Sequence, residues 1–165
     1  MRSLTNLCLV LVLLVFCGCR SIASDYKNGE RDFRKSNLRF ANLKGQTLNK
    51  ADLSGSNLVW AKFDQASLKG TFLRFCNTTG ASFYGADLRD ADLRGTFIGT
   101  ADFSRANLKN ADLRGLNFSQ AKLANANFAG CQLNQANLRG LDLSQTNIHK
   151  AILVIARYDE KTVWP

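Results

Sequence analysis

The sequence predicts an all-β solenoid, a four-sided coil with five residues to a side and 20 to a turn. Three observations predict it. Residues 36–155 repeat every five positions without insertion or deletion, giving 24 consecutive pentads in one register, of which Ala51-Asp52-Leu53-Ser54-Gly55 and Ala111-Asp112-Leu113-Arg114-Gly115 are typical. The third place is apolar in 23 of them, with Thr78 the exception, while the first place is small in most, 14 times Ala. Glycine takes the fifth place in nine pentads, and the only proline, Pro165, lies at the end.

Such a strict period means one structural unit stacked on itself. Five matches neither the helical period nor the strand period. A helix would smear the third-place Leu and Phe around its circumference, and a plain strand would turn alternate pentads to opposite faces. The pattern is satisfied if each pentad is one short side of a coil, with places one and three inward and a turn at the corner. Small first-place residues then suit the cramped corners, and fifth-place Gly suits a corner that needs positive φ. Residues 20 apart should stack, and Phe63, Phe83 and Phe103 do share one column between Leu43 and Leu123. Proline is excluded because the amides of such a coil bond from layer to layer. Asp or Asn at place two, in 15 pentads, puts a short acceptor beside the corner backbone.

The tandem A-(D/N)-L-x-x pattern closely resembles the pentapeptide-repeat family over about three quarters of the chain. The resemblance implies a right-handed quadrilateral parallel β-helix of about six coils, roughly 29 Å long at about 4.8 Å per layer. It also implies that end-to-end homodimers are an available mode of self-association.

The ends read differently. Arg2 followed by the apolar run 7–16 is too short to span a bilayer but fits the core of a secretory signal. Phe16-Cys17-Gly18-Cys19 resembles a bacterial lipobox, with Gly18 before the lipid-accepting Cys19; Phe16 and Cys17 depart from the usual Leu and Ala or Ser. The alternative is plain cleavage after Ala23. The domains expected are a signal peptide (1–18), a lipid-anchor and tether segment (19–30), the repeat β-helix (31–155) and a C-terminal cap (156–165). In the cap, Tyr158, Val163 and Trp164 are expected to fold over Ile152, Val154 and Ile155, since a stacked coil leaves its last apolar layer and edge open. Self-association through that end is the rival reading. No helix is expected beyond the signal segment.

Of five cysteines, Cys76 and Cys131 replace the inward first-place Ala. About 13 Å of axial rise separates them, beyond disulfide reach, so both are expected to be small buried groups. His149 is the only histidine and is expected outward, so no metal site forms and no cofactor is implied. The recurring second-place Asp serve the corner and are not an acid/base pair. The chain is therefore not expected to be an enzyme.

Net charge is +9. Arg34, Arg74, Arg94 and Arg114 share one column; Lys69, Arg89 and Lys109 share the neighbouring one. They make either a basic face attracting anionic lipid, cell-wall polymer or an acidic protein, or a solvated surface neutralised by nearby Asp52, Asp87, Asp92 and Asp112. Phe40, Trp60, Phe72, Phe75, Tyr84 and Phe97 are expected outward, forming an aromatic patch for a partner or simply packing along the rod. Segment 71–80 is the least regular. The function expected is a non-catalytic exported scaffold of the cell envelope, a membrane-anchored lipoprotein facing the periplasm through lipid on Cys19. Soluble periplasm or thylakoid lumen are the alternative locations, and an unknown protein or anionic envelope component is the partner. The family's DNA-mimicking, gyrase-protecting branch is the alternative function, but it needs an acidic cytoplasmic rod, and no nucleic-acid partner is expected here.

Overall fold

The computed structural model describes residues 22–165. The sequence-predicted signal peptide and Cys19 lie outside them. Single-residue parallel bridges join second-place residues 20 apart, beginning with Asp32↔Asp52 and Asn37↔Asn57 and reaching Asn137↔Arg157. The coil therefore starts at Arg31, one pentad before the strict repeat.

Each side is held by the same set of backbone bonds. The third-place amide donates to the second-place carbonyl one coil on, as Leu38 N does to Asn57 O (2.8 Å). The fifth-place amide donates to the fourth-place carbonyl one coil on, and the first-place amide closes the corner by donating to the third-place carbonyl before it. The fifth place is left-handed at nine glycines and also at 12 other residues, among them Phe40, Trp60 and Phe75. That region disfavours any side chain bearing a Cβ. The corner demands it nonetheless, which is why Gly recurs there.

Places one and three fill the interior. Every third-place residue from Leu38 to Ile148 is buried. Phe63, Phe83 and Phe103 stack face to face at 5.0 and 4.8 Å, with interplanar angles of 1° and 5°. The ring spacing is that of the coils themselves. Phe118 and Phe128 continue the aromatic core edge-on. Thr78 is buried and donates from Oγ1 to Phe97 O (3.1 Å), so it satisfies its hydroxyl inside the stack. Cys76 and Cys131 are buried and free, as expected, but they are more than small apolar groups. Their thiols donate to Leu53 O and Leu108 O, the role that Thr71 and Thr96 hydroxyls play toward Leu48 O and Leu73 O. Burial pushes the two thiols up, to about 11 and about 12.

Both ends depart from expectation. Segment 22–27 is no free tether: it forms helix α1 (Ile22–Lys27). Ile22 and Tyr26, one helical turn apart, lie on the first coil, and Tyr26 OH donates to Asn49 O (3.0 Å). The open first layer of Phe33, Leu38, Leu43 and Leu48 supplies the apolar surface that makes this helix form. At the other end, residues 156–165 do not fold over the stack as a cap but extend it. Arg157 pairs with Asn137, and after one extra residue Val163 pairs with Asp142. The amides of Leu138 and Leu143 need acceptors one coil on, and Arg157 O and Val163 O supply them at 2.7 and 2.8 Å. Ile152, Val154 and Ile155 consequently stay exposed, while Tyr158 and Trp164 pack on one another edge to face at 5.5 Å. A short 3-10 turn, Ile148–Lys150, is a second departure from the all-β expectation.

Phe83 has an aromatic ring on either side, so Phe83→Ala should cost about 3–5 kcal/mol, the range for deleting a buried aromatic. Urea unfolding monitored by circular dichroism measures it. A loss under about 1 kcal/mol would mean the stack does not carry the core.

Candidate interaction surfaces

Second- and fourth-place residues point outward, and the 20-residue register turns each into a column. The sequence-predicted basic face occupies two adjacent sides, where an ion-pair ladder forms. On one side Arg74 Nε lies 3.3 Å from Asp92; Arg94 reaches Asp92 at 2.7 Å and Asp112 at 3.3 Å; Arg114 reaches Asp112 at 2.7 Å. On the other, Lys69 and Arg89 share Asp87 at 3.4 and 2.8 Å. Among the described residues Lys109 is the member of the predicted face with no ion pair within 4.0 Å. Each second-place carboxylate also accepts the amide two residues on, as Asp92 Oδ1 does from Arg94 N (3.1 Å), which confirms the corner role. The bidentate hydrogen bond from Arg34 holds the Asp32 carboxyl down at about 2. Hydrogen bonding from Arg89 lowers Asp87; for Asp92 partial burial pushes upward, but the hydrogen bonds and charge of Arg94 prevail. This face is a cross-linked ladder in which Asp87, Asp92 and Asp112 neutralise part of the positive charge.

The predicted aromatic patch divides in two. Phe72 and Tyr84 are half-covered, with the guanidinium groups of Arg74 and Arg105 over their rings at 5.0 and 5.7 Å. Phe40, Trp60, Phe75 and Phe97 are 64, 53, 73 and 64 % exposed and border or occupy a single side. Arg39 leans over Phe40 at 5.1 Å. That side, built from residues 56–60, 76–80, 96–100 and 116–120, contains no Lys, Arg, Asp or Glu, nor do the corner residues Gly55, Phe75, Gly95 and Gly115 beside it.

The inter-coil ladder also skips on this side. Among the described residues no bridge joins Phe97 to Asn117, and the amides of Ile98, Thr100 and Asn117 lack their usual partners. A cavity of about 200 Å³ opens there, lined by Phe97, Gly99, Asn117, Ser119 and Gln120 among others. A second gap, of about 600 Å³, follows round the corner between residues 121–124 and 140–145, where Lys122 and Asp142 do not pair. The cause is legible in the first place. Leu116 and Leu141 stand where the corner wants Ala, and their corner hydrogen bonds stretch to 3.3 and 3.4 Å, against 3.2 Å or less everywhere but Cys76. A bulky corner side chain wedges neighbouring coils apart. Thr100, Gln120 and Gln145 correspondingly lose the left-handed fifth-place conformation, and Gly99 takes it one residue early. Leu116 and Leu141 are the two leucines at the first place; Gln46 also departs from the small-residue rule there but keeps its inter-coil bonds.

Among the described residues no group of three potential metal ligands comes together, and no helix is long and apolar enough to cross a membrane.

A four-sided β-solenoid with outward columns defines the class. The pentapeptide-repeat family matches in eight copies over residues 32–64, 56–95, 101–140 and 126–154. The chain belongs to that family, whose members form right-handed quadrilateral β-helices. Solved structures that it is similar to include the pentapeptide repeat protein Rfr23 of the cyanobacterium Cyanothece, at 23% identity over 82% of this chain and 92% of that one, TM-score 0.44. A pentapeptide repeat protein of the Arabidopsis thaliana thylakoid lumen matches at 32% identity over 65% of this chain and 68% of that one, TM-score 0.37. QnrB1, a plasmid-mediated fluoroquinolone resistance protein, matches at 15% identity over 78% of this chain and 88% of that one, TM-score 0.42. No curated protein gives a significant match.

Replacing Arg74, Arg94 and Arg114 together by Ser should leave a cooperative unfolding transition with a lowered midpoint. The depressed carboxylates Asp32, Asp87 and Asp92 favour the folded state above their ordinary value near 3.8, and that contribution is lost as pH falls through the depressed values, to about 2 for Asp32. Thermal midpoints measured between about pH 4 and pH 2 should therefore fall in the parent and fall less steeply in the triple variant, where Asp92 has lost its partners. Equal slopes would show that the ladder adds nothing to stability.

Proposed function

We propose that this protein is a non-catalytic scaffold of the cell envelope, exported and held to a membrane by lipid on Cys19. The observation that carries the reading is the join between Cys19 and the rod. The lipobox-like Phe16-Cys17-Gly18-Cys19 stands three residues before Ile22, and Ile22 is buried on the first coil. Three residues of chain, at no more than about 3.6 Å each, would tie a lipid on Cys19 to Ile22. The rod would then project from the membrane with its sides free. Several acyl chains make such an anchor stable where one does not. The interior is filled by Leu, Phe and Ala, and the outward carboxylates are engaged with corner amides and guanidinium groups. That arrangement suits display of a surface. The net positive charge, and columns in which Asp alternates with Arg, run against mimicry of DNA, which needs continuous negative charge.

Self-association is a second reading, carried by the exposed C-terminal end of Ile152, Val154, Ile155 and Trp164. It predicts a dimer by light scattering that Ile155→Asp returns to monomer.

Expression in a bacterial host followed by intact-mass measurement tests the anchor. The expected product is a membrane-bound chain beginning at Cys19 and carrying acyl groups, and Cys19→Ser should remove the lipid and shift the chain to the soluble or unprocessed fraction. An unmodified chain beginning at Ser24 in the soluble periplasm would overturn the lipid anchor, and an unprocessed cytosolic chain would overturn export.

A further inference from the structure

The uncharged side poses a question that the fold does not answer. Fifth-place residues are left-handed, and glycine is the residue that meets that demand without strain. Yet Phe40, Trp60 and Phe75 hold φ of 59°, 59° and 57°, which disfavours bulky side chains. All three are largely exposed, so core packing does not compensate. The left-handed fifth place is common to the whole coil, so what sets these three apart is a large exposed ring at a corner that glycine fills in nine other pentads.

Their setting makes them platforms. A Cβ built on Gly80 would stand 2.6 Å from the Trp60 ring, and one on Gly95 would stand 2.5 Å from the Phe75 ring. The Trp60 ring, three of whose atoms are nearly equidistant from that point, lies flat against the Gly80 backbone one coil on, and the Phe75 ring packs its Cδ1–Cε1 side against Gly95; both remain largely exposed. Trp60 and Phe75 sit at the two corners bounding the uncharged side, and Phe97 stands between them in a second-place column. In that column Asn57, Asn77 and Asn117 give their carboxamide oxygens to the amides of Val59, Thr79 and Ser119. Their amino groups are the donors that remain for a ligand; Asn57 and Asn77 are one coil apart, about 4.8 Å, and Asn117 lies two coils further on, beyond Phe97. The notch beside Phe97 adds unpaired backbone amides and the hydroxyl of Ser119.

We propose that this side binds a neutral glycan chain. A pyranose ring has a flat apolar C–H face, which stacks on an aromatic face, and a rim of hydroxyls that both donate and accept. It carries no charge to be matched. The side supplies all three complements: flat rings, amides and hydroxyls, and no ionic group over four successive coils. A protein partner would be better served by rings merged into one apolar core, whereas here rows of Asn and Thr separate them. A polyanion would be better served by the sides carrying Arg and Lys. The proposal does not depend on the lipid anchor, because the side is built by the coil alone.

The test uses the full chain purified in a detergent without a sugar headgroup. Cellohexaose, maltohexaose and chitohexaose are titrated by calorimetry, with tryptophan emission as a second readout. At least one should bind with Kd below about 1 mM and perturb the emission. Trp60→Gly and Phe97→Asn, each installing a residue the repeat itself uses at that place, should each weaken binding at least tenfold. The thermal midpoint of Trp60→Gly should be unchanged or raised, since the left-handed strain is relieved; Trp164→Phe should bind as the parent does. Three outcomes overturn the proposal: no heat or emission change with any of the three at 10 mM; binding unaffected by Trp60→Gly and Phe97→Asn; or self-association that Trp60→Gly abolishes, which would make a second copy the occupant. Dextran sulfate binding more tightly than every neutral glycan would also overturn it and assign binding to the arginine-bearing sides. Failure here leaves the anchored-scaffold reading untouched, as that rests on processing at Cys19.

Discussion

The hydrogen bond from each third-place amide to the second-place carbonyl of the next coil is the interaction on which everything else here depends. Leu38 to Asn57, Phe63 to Ser82 and Leu88 to Asn107 are instances, at 2.7–2.8 Å. Each contributes only about 1 kcal/mol net. Their effect is collective, because buried backbone groups left unpaired would be far more costly. The ladder sets the repeat at 20 residues, and that register brings like side chains into contact. Phenylalanines stack because the backbone has already placed them one coil apart. Stability then accumulates coil by coil through nearest neighbours. The ends are where the arrangement runs out of partners, and the chain answers differently at each: α1 covers the first layer, whereas Arg157 and Val163 supply carbonyls to the last one and leave its apolar residues in the open.

The same register organises the surface. An Asp at place two and an Arg at place four become a vertical ladder once copied at intervals of one coil, so charges that look like a net basic column in the sequence are cross-linked by the column beside them. Over the four coils that carry no charge, this side is left as a plain of amides and hydroxyls with three exposed rings, Trp60, Phe75 and Phe97. It is also the side where the ladder between the coils of Phe97 and Asn117 is interrupted, beside Leu116. A repeat protein can tolerate such an interruption because the disturbance reaches only neighbouring coils. The core residues beside the notch, Ile98 and Phe118, remain buried.

Much of this is legible in the sequence. The pentad period, the inward first and third places, the Phe63–Phe83–Phe103 column, the glycine corner and the acceptor role of the second-place Asp all follow from residue type and spacing, because a solenoid converts linear period directly into contact. The candidate surfaces were legible only as lists of residues. That Phe72 and Tyr84 lie under guanidinium groups while Trp60 and Phe75 lie over glycines depends on side-chain rotamers and on which residue stands one coil away. The ends differ from the sequence pattern for a related reason. The sequence predicts an anchor and tether segment over 19–30 and, from the loss of register, a cap over 156–165. Each instead met an open coil edge whose apolar layer or unpaired amides decided its conformation.

By itself the sequence determined the coil, its register, the filling of its interior and the column each outward residue would join, since all of these are consequences of a five-residue period. The tertiary structure alone decided which outward residues neutralise one another, which rings stay exposed, where the inter-coil ladder is interrupted beside Leu116 and Leu141, and how the two ends are finished. Those outcomes depend on the shapes of residues that are 20 positions apart in the chain and one coil apart in space.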